Sequence, residues 1–169
     1  MFATTETQSV FHALMDRLER VDLEEYTLEE MGQIVSLNLD IKIDAKALED
    51  ISSVLRGNAR EAQKMAQKIE SYCEQNDTRA FKLKDWNKLG KILSIYPLGL
   101  NITEILLLNI LKENTDCSLT NLAAKTGISK HAVQRDFEIY LQKHSLMDIT
   151  TAGRNITAKG LEYLKKLNK

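Results

Sequence analysis

The stretch that most restricts what this chain can fold into is Ser118–Thr157, SLTNLAAKTGISKHAVQRDFEIYLQKHSLMDITTAGRNIT. Leu119, Leu122 and Ala123 give a short helix an apolar face, Thr126-Gly127 makes a turn, and Ser129 stands where it caps a second helix. Val133, Phe137, Tyr140 and Leu141 recur at helical spacing along that second helix, which leaves Lys130, His131, Gln134, Arg135 and Glu138 on the other face. Met147–Thr150 and Arg154–Thr157 then alternate like two strands around Thr151-Ala152-Gly153, where Gly153 supplies the backbone freedom of the turn. Helix, turn, helix and hairpin in that order read as a winged helix-turn-helix. A polar helix face beside a basic hairpin indicates duplex nucleic acid as partner. The candidate DNA-binding residues are Lys130, Gln134 and Arg135 on the helix and Thr151, Arg154 and Asn155 on the wing, with Arg154 expected to contact phosphate. Gln134 and Arg135 are residue types that read adenine and guanine edges.

The formal net charge of −1 argues little for DNA until it is divided along the chain. From Ser118 onward nine Lys and Arg stand against four Asp and Glu, a surplus of five, which leaves −6 on residues 1–117. Basic charge therefore gathers at the winged helix, where counterion release favours phosphate contact. The longest apolar run, Ile105–Leu108, is too short for a membrane span, and the start MFATTETQ lacks the layout of a signal peptide, so the expectation is a cytoplasmic protein with no membrane partner. Cys73 and Cys117 belong to no CxxC pair and read as free thiols. His12, His131 and His144 are scattered without metal-ligand spacing, so no metal site is expected.

Ahead of the winged helix the pattern is helical. Thr27-Leu28-Glu29-Glu30 is a capping box opening a helix with Leu28, Met31, Ile34 and Val35 inward. A second helix is expected over 44–55, with Leu48, Ile51, Val54 and Leu55 apolar, a third from the Asn58 cap to Tyr72, and a fourth around Trp86, Leu89 and Ile92. The single proline, in Tyr96-Pro97-Leu98-Gly99, marks a boundary, after which Asn101 caps a helix through Lys112. A last helix follows the Thr157 cap. Phe2–Glu6 and Arg20–Leu23 are strand-like, with Val10–Leu18 helical between them, yet nothing nearby offers those strands a sheet. The expected fold is mainly α: a helical bundle, then a winged helix-turn-helix with a small β-hairpin wing.

Phe2-Ala3-Thr4-Thr5, Leu14-Met15-Asp16-Arg17, Leu23-Glu24-Glu25-Tyr26, Arg56-Gly57-Asn58-Ala59-Arg60 and Thr120–Gly127 follow one another in an order that resembles a family across essentially the whole chain. It is the RuvB-type AAA+ motor of Holliday junction branch migration. The resemblance implies a sensor-1 hydroxyl at Thr5 or Thr4 that helps place the attacking water, and an arginine finger at Arg17. It further implies a base-stacking Tyr26 and an RGxxR motif whose Arg60 meets the γ-phosphate. Residues 1–25 would then be the end of an ATPase core, 26–97 the helical AAA+ lid, and 98–169 the winged-helix DNA-binding domain.

The departures set the limits of that likeness. No GxxxxGK[ST] occurs, and no apolar strand ending in Asp-Glu precedes the sensor-1 stretch, so the phosphate cradle and the Mg²⁺ carboxylate are missing. Where the family carries several arginines around the wing tip, this chain has Ile149, Ala152 and only Arg154. The resemblance therefore implies either a piece of a longer motor or a shortened relative, unable to hydrolyse ATP alone, with ATP and Mg²⁺ relevant only within a complete motor. The partners it implies are DNA at four-way junctions, an AAA+ ATPase core or ring, and a junction-binding protein. Two other functions compete: a sequence-specific regulator reading the major groove, and a protein-binding partner that docks on an intact motor.

Overall fold

Several helix starts in this chain are set by side-chain caps. The computed structural model describes residues 3–4 and 10–167. The first helix, α1 (His12–Met15), is a single turn that buries none of its residues. Thr27 and Glu30 form the expected capping box, the Thr27 N–H donating to the Glu30 carboxylate at 2.8 Å, and so begin α2 (Leu28–Leu37). Accepting two hydrogen bonds from Thr27 holds the Glu30 carboxyl below the usual carboxylate range.

A short strand, β1 (Lys42–Ile43), leads into α3 (Ala45–Val54), and the Asn58 side chain caps α4 (Ala59–Gln75). β2 (Ala80–Phe81) then pairs parallel to β1, with Lys42 opposite Ala80 and Ile43 opposite Phe81, before α5 (Leu83–Ile92). Two-residue strands carry too little alternation to be legible in sequence. Met31, Val35, Ile51, Ala62, Ile69, Phe81 and Trp86 form the core of this first unit, where the Tyr72 ring meets Phe81 edge-on at 5.8 Å.

A 3₁₀ turn, Pro97–Gly99, leads to α6 (Ile102–Glu113), opened by a capping box between Asn101 and Glu104. Then come α7 (Leu119–Thr126), α8 (residues 130–143), the antiparallel pair β3 (Met147–Ile149) and β4 (Arg154–Ile156), and α9 (Ala158–Leu167), begun by the Thr157 hydroxyl accepting from the Gly160 N–H at 3.0 Å. Leu100, Leu107, Leu108, Leu111, Leu122, Val133, Leu141, Leu146 and Met147 form a second, separate core. Among the described residues no single helix is long and apolar enough to cross a membrane.

Several local expectations are corrected. Phe2 lies outside the described residues, Ala3 and Thr4 are not in a strand, and Arg20–Leu23 runs without strand pairing, because no sheet edge is there to receive it. The helix expected over 10–18 contracts to α1. Leu28 is exposed instead of inward. In α6, a helix not assigned an inner face beforehand, Ile102 and Leu106 are exposed and Glu104 is fully buried. A charged residue thus stands on the inner face of α6, and the reason lies in what Glu104 meets there.

Candidate nucleic-acid interface

The helix-turn-helix is locked at each corner by a short polar residue or a glycine. The Ser118 hydroxyl accepts from the Asn121 N–H and starts α7, Gly127 ends it in the left-handed conformation (φ 70°), and the Ser129 hydroxyl accepts from the Ala132 N–H to start α8. α8 is not uniform. Its ends, Lys130–Ala132 and Ile139–Lys143, are α-helical, while Val133–Glu138 between them forms a π-helical stretch. Widening each turn to i→i+5 brings Glu138 round toward the side occupied by Val133, and both are buried.

That local change turns Glu138, expected on the exposed face, inward. Its carboxylate accepts from Arg154 Nε at 2.9 Å in an ion pair whose side chains are only 5% and 15% exposed. Arg154, expected to meet phosphate from the wing, joins β4 to α8 through that pair. It stands opposite Ile149, in the pair next to the hairpin turn. Asn155 is half-buried and bonds the exposed Asp116. Its side-chain oxygen accepts from the Asp116 N–H at 2.7 Å and its amide donates to the Asp116 carboxylate at 2.8 Å. An antiparallel bridge between Cys117 and Arg154 adds a third edge to the wing. Gly153 is required where the chain crosses Asp116, since a Cβ there would overlap the Asp116 backbone.

The remaining candidates face outward. Lys130, His131, Gln134 and Arg135 are exposed on α8, and Thr151 and Ala152 are exposed at the wing tip. Arg135 donates from Nε to the neighbouring Asp136 at 2.6 Å, and that hydrogen bond holds the Asp136 carboxyl low. At the far end of α8, Lys143 pairs with Glu25 at 2.6 Å across the surface. His144 packs against Tyr140 with ring centroids 4.5 Å apart. Burial first, then Lys159 and Lys143, push its imidazole below the ordinary range, so it is neutral near pH 7.

Of the residues assigned to nucleotide, Thr5 lies outside the described residues. Arg17 is exposed just beyond α1, Tyr26 is half-exposed, and Arg60 is exposed in the first turn of α4. Tyr26 and the Arg56–Arg60 turn do come together: the backbone of Tyr26 packs against Gly57, whose φ of 68° makes the turn possible. Cys73 and Cys117 are both buried and unpaired, and burial pushes the Cys73 thiol up. Among the described residues no cluster of His, Cys, Asp or Glu is arranged to hold a metal ion.

The family model for the RuvB C-terminal winged helix domain matches residues 97–165, spanning α6 through most of α9. The RuvB subunit of the Holliday junction branch migration complex from Mycoplasmopsis pulmonis is 28% identical over 172 residues, covering 98% of this chain and 55% of that protein. The chain is similar to RuvB over nearly its whole length. The corresponding RuvB subunit of Kosmotoga olearia is 29% identical over 169 residues, covering 96% of this chain and 49% of its own length. The chain thus spans about half the length of the curated relatives it matches, and the winged-helix match makes that the C-terminal portion. The solved structure of a Thermotoga maritima RuvB K64R mutant shares the fold with a TM-score of 0.78 at 23% identity, over 92% of this chain and 54% of that one.

Sequence reasoning missed Arg56 as a structural residue and Glu104 as a buried one. The pattern Asn-x-x-Glu at 101–104 is a capping box, which marks Glu104 as fixed at a helix start. Nothing local marks Arg56 as its partner, 48 residues away.

Proposed function

We propose that this chain is a DNA-binding module of the RuvB type, which grips duplex arms at four-way junctions with the outer face of α8 and the tip of the wing. The observation that carries this reading is the pairing of an exposed polar and basic face, Lys130, Gln134 and Arg135, with a wing held beside it by the buried Arg154–Glu138 ion pair. Lys130 supplies phosphate affinity, Gln134 and Arg135 face base edges or backbone, and Thr151 offers a hydroxyl to phosphate. Arg154 and Asn155 serve the interface from within, by fixing the hairpin against α8 and against Asp116.

The relatives' names tie them to Holliday junction branch migration, and we carry that context to this chain as the DNA structure it prefers. In this reading residues 1–25 continue an AAA+ core, 26–97 form the lid and 98–169 the winged-helix domain. Thr5 and Arg17 belong to the catalytic side of that core, and Tyr26 and Arg60 line the lid side of a nucleotide. Tyr26 and Arg60 supply one edge and no phosphate cradle. An AAA+ ring is the protein partner that fits.

Binding of four-way and linear duplex DNA at low salt tests the proposal. The chain should prefer the four-way form, and Lys130→Ala should weaken binding to both and flatten the dependence of log Kd on log salt by about one. Equal affinity for the two DNAs sinks the junction reading. No affinity for either sinks the DNA reading and leaves docking on an intact motor as the function to pursue.

A further inference from the structure

The connection between the two cores is irregular in backbone but held from three sides. Leu98 and Gly99 are both left-handed, with φ of 61° and 68°. The carbonyls of Pro97, Leu98 and Gly99 each accept a side-chain donor: Tyr163 Oη at 2.7 Å, Tyr140 Oη at 2.7 Å and Arg56 Nε at 3.1 Å. Those donors come from α9, α8 and the end of α3, so both units grip the same turn. Burial raises both phenols, Tyr163 more strongly, which keeps them protonated as donors.

Arg56 is the centre of this arrangement. Its guanidinium forms a fork with the fully buried Glu104, Nη1 to Oε1 at 3.0 Å and Nη2 to Oε2 at 2.6 Å, and lies 3.7 Å above the centre of the Tyr140 ring. Glu104 in turn accepts from the Asn101 N–H at 2.9 Å, at the start of α6. One side chain from the helical unit thus touches the linker, the first helix of the winged-helix unit and the inner face of α8. A lysine supplies neither the fork nor the planar stack.

We infer that Arg56 is a positioning residue for nucleic-acid binding: it fastens the helical unit to the winged helix as one rigid body and, through Tyr140, sets the pose of α8 without touching DNA. The part of this inference that concerns DNA rests on the proposed function above, whereas the rigid coupling does not. Phosphate contacts set the salt dependence of binding, so a residue that acts only through α8 changes affinity and leaves that dependence alone.

Arg56→Lys in the full chain is the variant to use, because it keeps a charge beside Glu104 and so spares the fold. ¹⁵N relaxation should give one rotational correlation time for both units in the parent chain and two distinct times in Arg56→Lys. Affinity for four-way DNA should fall about tenfold with an unchanged salt slope, in contrast to Lys130→Ala. The double variant Arg56→Met/Glu104→Leu, which replaces the pair by apolar side chains, should fold and show the same separation of tumbling times. A single correlation time in both variants overturns the rigid coupling, whatever happens with DNA. Separate tumbling with unaltered affinity overturns the positioning role. If the parent chain binds no DNA, the proposed function and the positioning role fall together, and the coupling is judged by the tumbling times alone.

Discussion

Residues 19–27 and residues 96–101 both lack α-helix and strand, yet they sit in the protein in opposite ways. The first stretch lies open to solvent, with Leu23 92% exposed, and is fastened chiefly by the surface pair of Glu25 with Lys143 and by the packing of Tyr26 on Gly57. The second contains the fully buried Leu100 and has three successive carbonyls taken by side chains. Regular secondary structure is therefore no measure of order here. What distinguishes the two is whether backbone polar groups removed from water find donors, since an unpaired buried carbonyl costs what a lost hydrogen bond costs.

The sharpest way to break the comparison is at Gly99. Its left-handed φ and its contact with the backbone of Val54 leave no room for a Cβ. Gly99→Ala should cost about 4 kcal/mol of stability in chemical denaturation, at the upper end of single-residue effects. A loss below about 1 kcal/mol means the turn relaxes and the linker is looser than its contacts imply. Tyr163→Phe should cost about 1 kcal/mol, the worth of one hydrogen bond whose acceptor is left behind. If it costs nothing, the Pro97 carbonyl is reached by water and is not part of the lock. At the other extreme, Leu23→Ser should change stability by less than about 0.5 kcal/mol, as an exposed side chain should. A clearly larger loss there shows that the 19–27 stretch is covered in solution, for instance by a second copy.

How much of this was legible beforehand depended on range. Capping by Thr27, Asn58, Asn101 and Ser129 was readable because a cap and its N–H partners lie within three residues. The inward stripe of α8 was readable at Val133 and Leu141, but Glu138 was misplaced, because helical spacing presumes uniform turns and the π-helical stretch rephases the face midway. The partner of Arg154 was hidden for a related reason. A lone basic residue near a hairpin turn looks exposed until the buried carboxylate beneath it is known. The paired β1 and β2 segments were invisible, since each is two residues long and gains its meaning only from the other.

The sequence by itself determined the order of helices and the helix-turn-helix with its wing, because periodicity, caps and turn glycines act over a few residues, and five short motifs in order carried the resemblance to a RuvB-type motor. Only the tertiary structure decided which charges are available to a partner. Arg154 and Arg56 are, by composition, two more basic residues. One is neutralised by Glu138 and the other by Glu104, each on a different helix brought near by the fold. A buried charge requires a counter-charge close by, and which residue provides it is settled by packing in three dimensions, which no local pattern records.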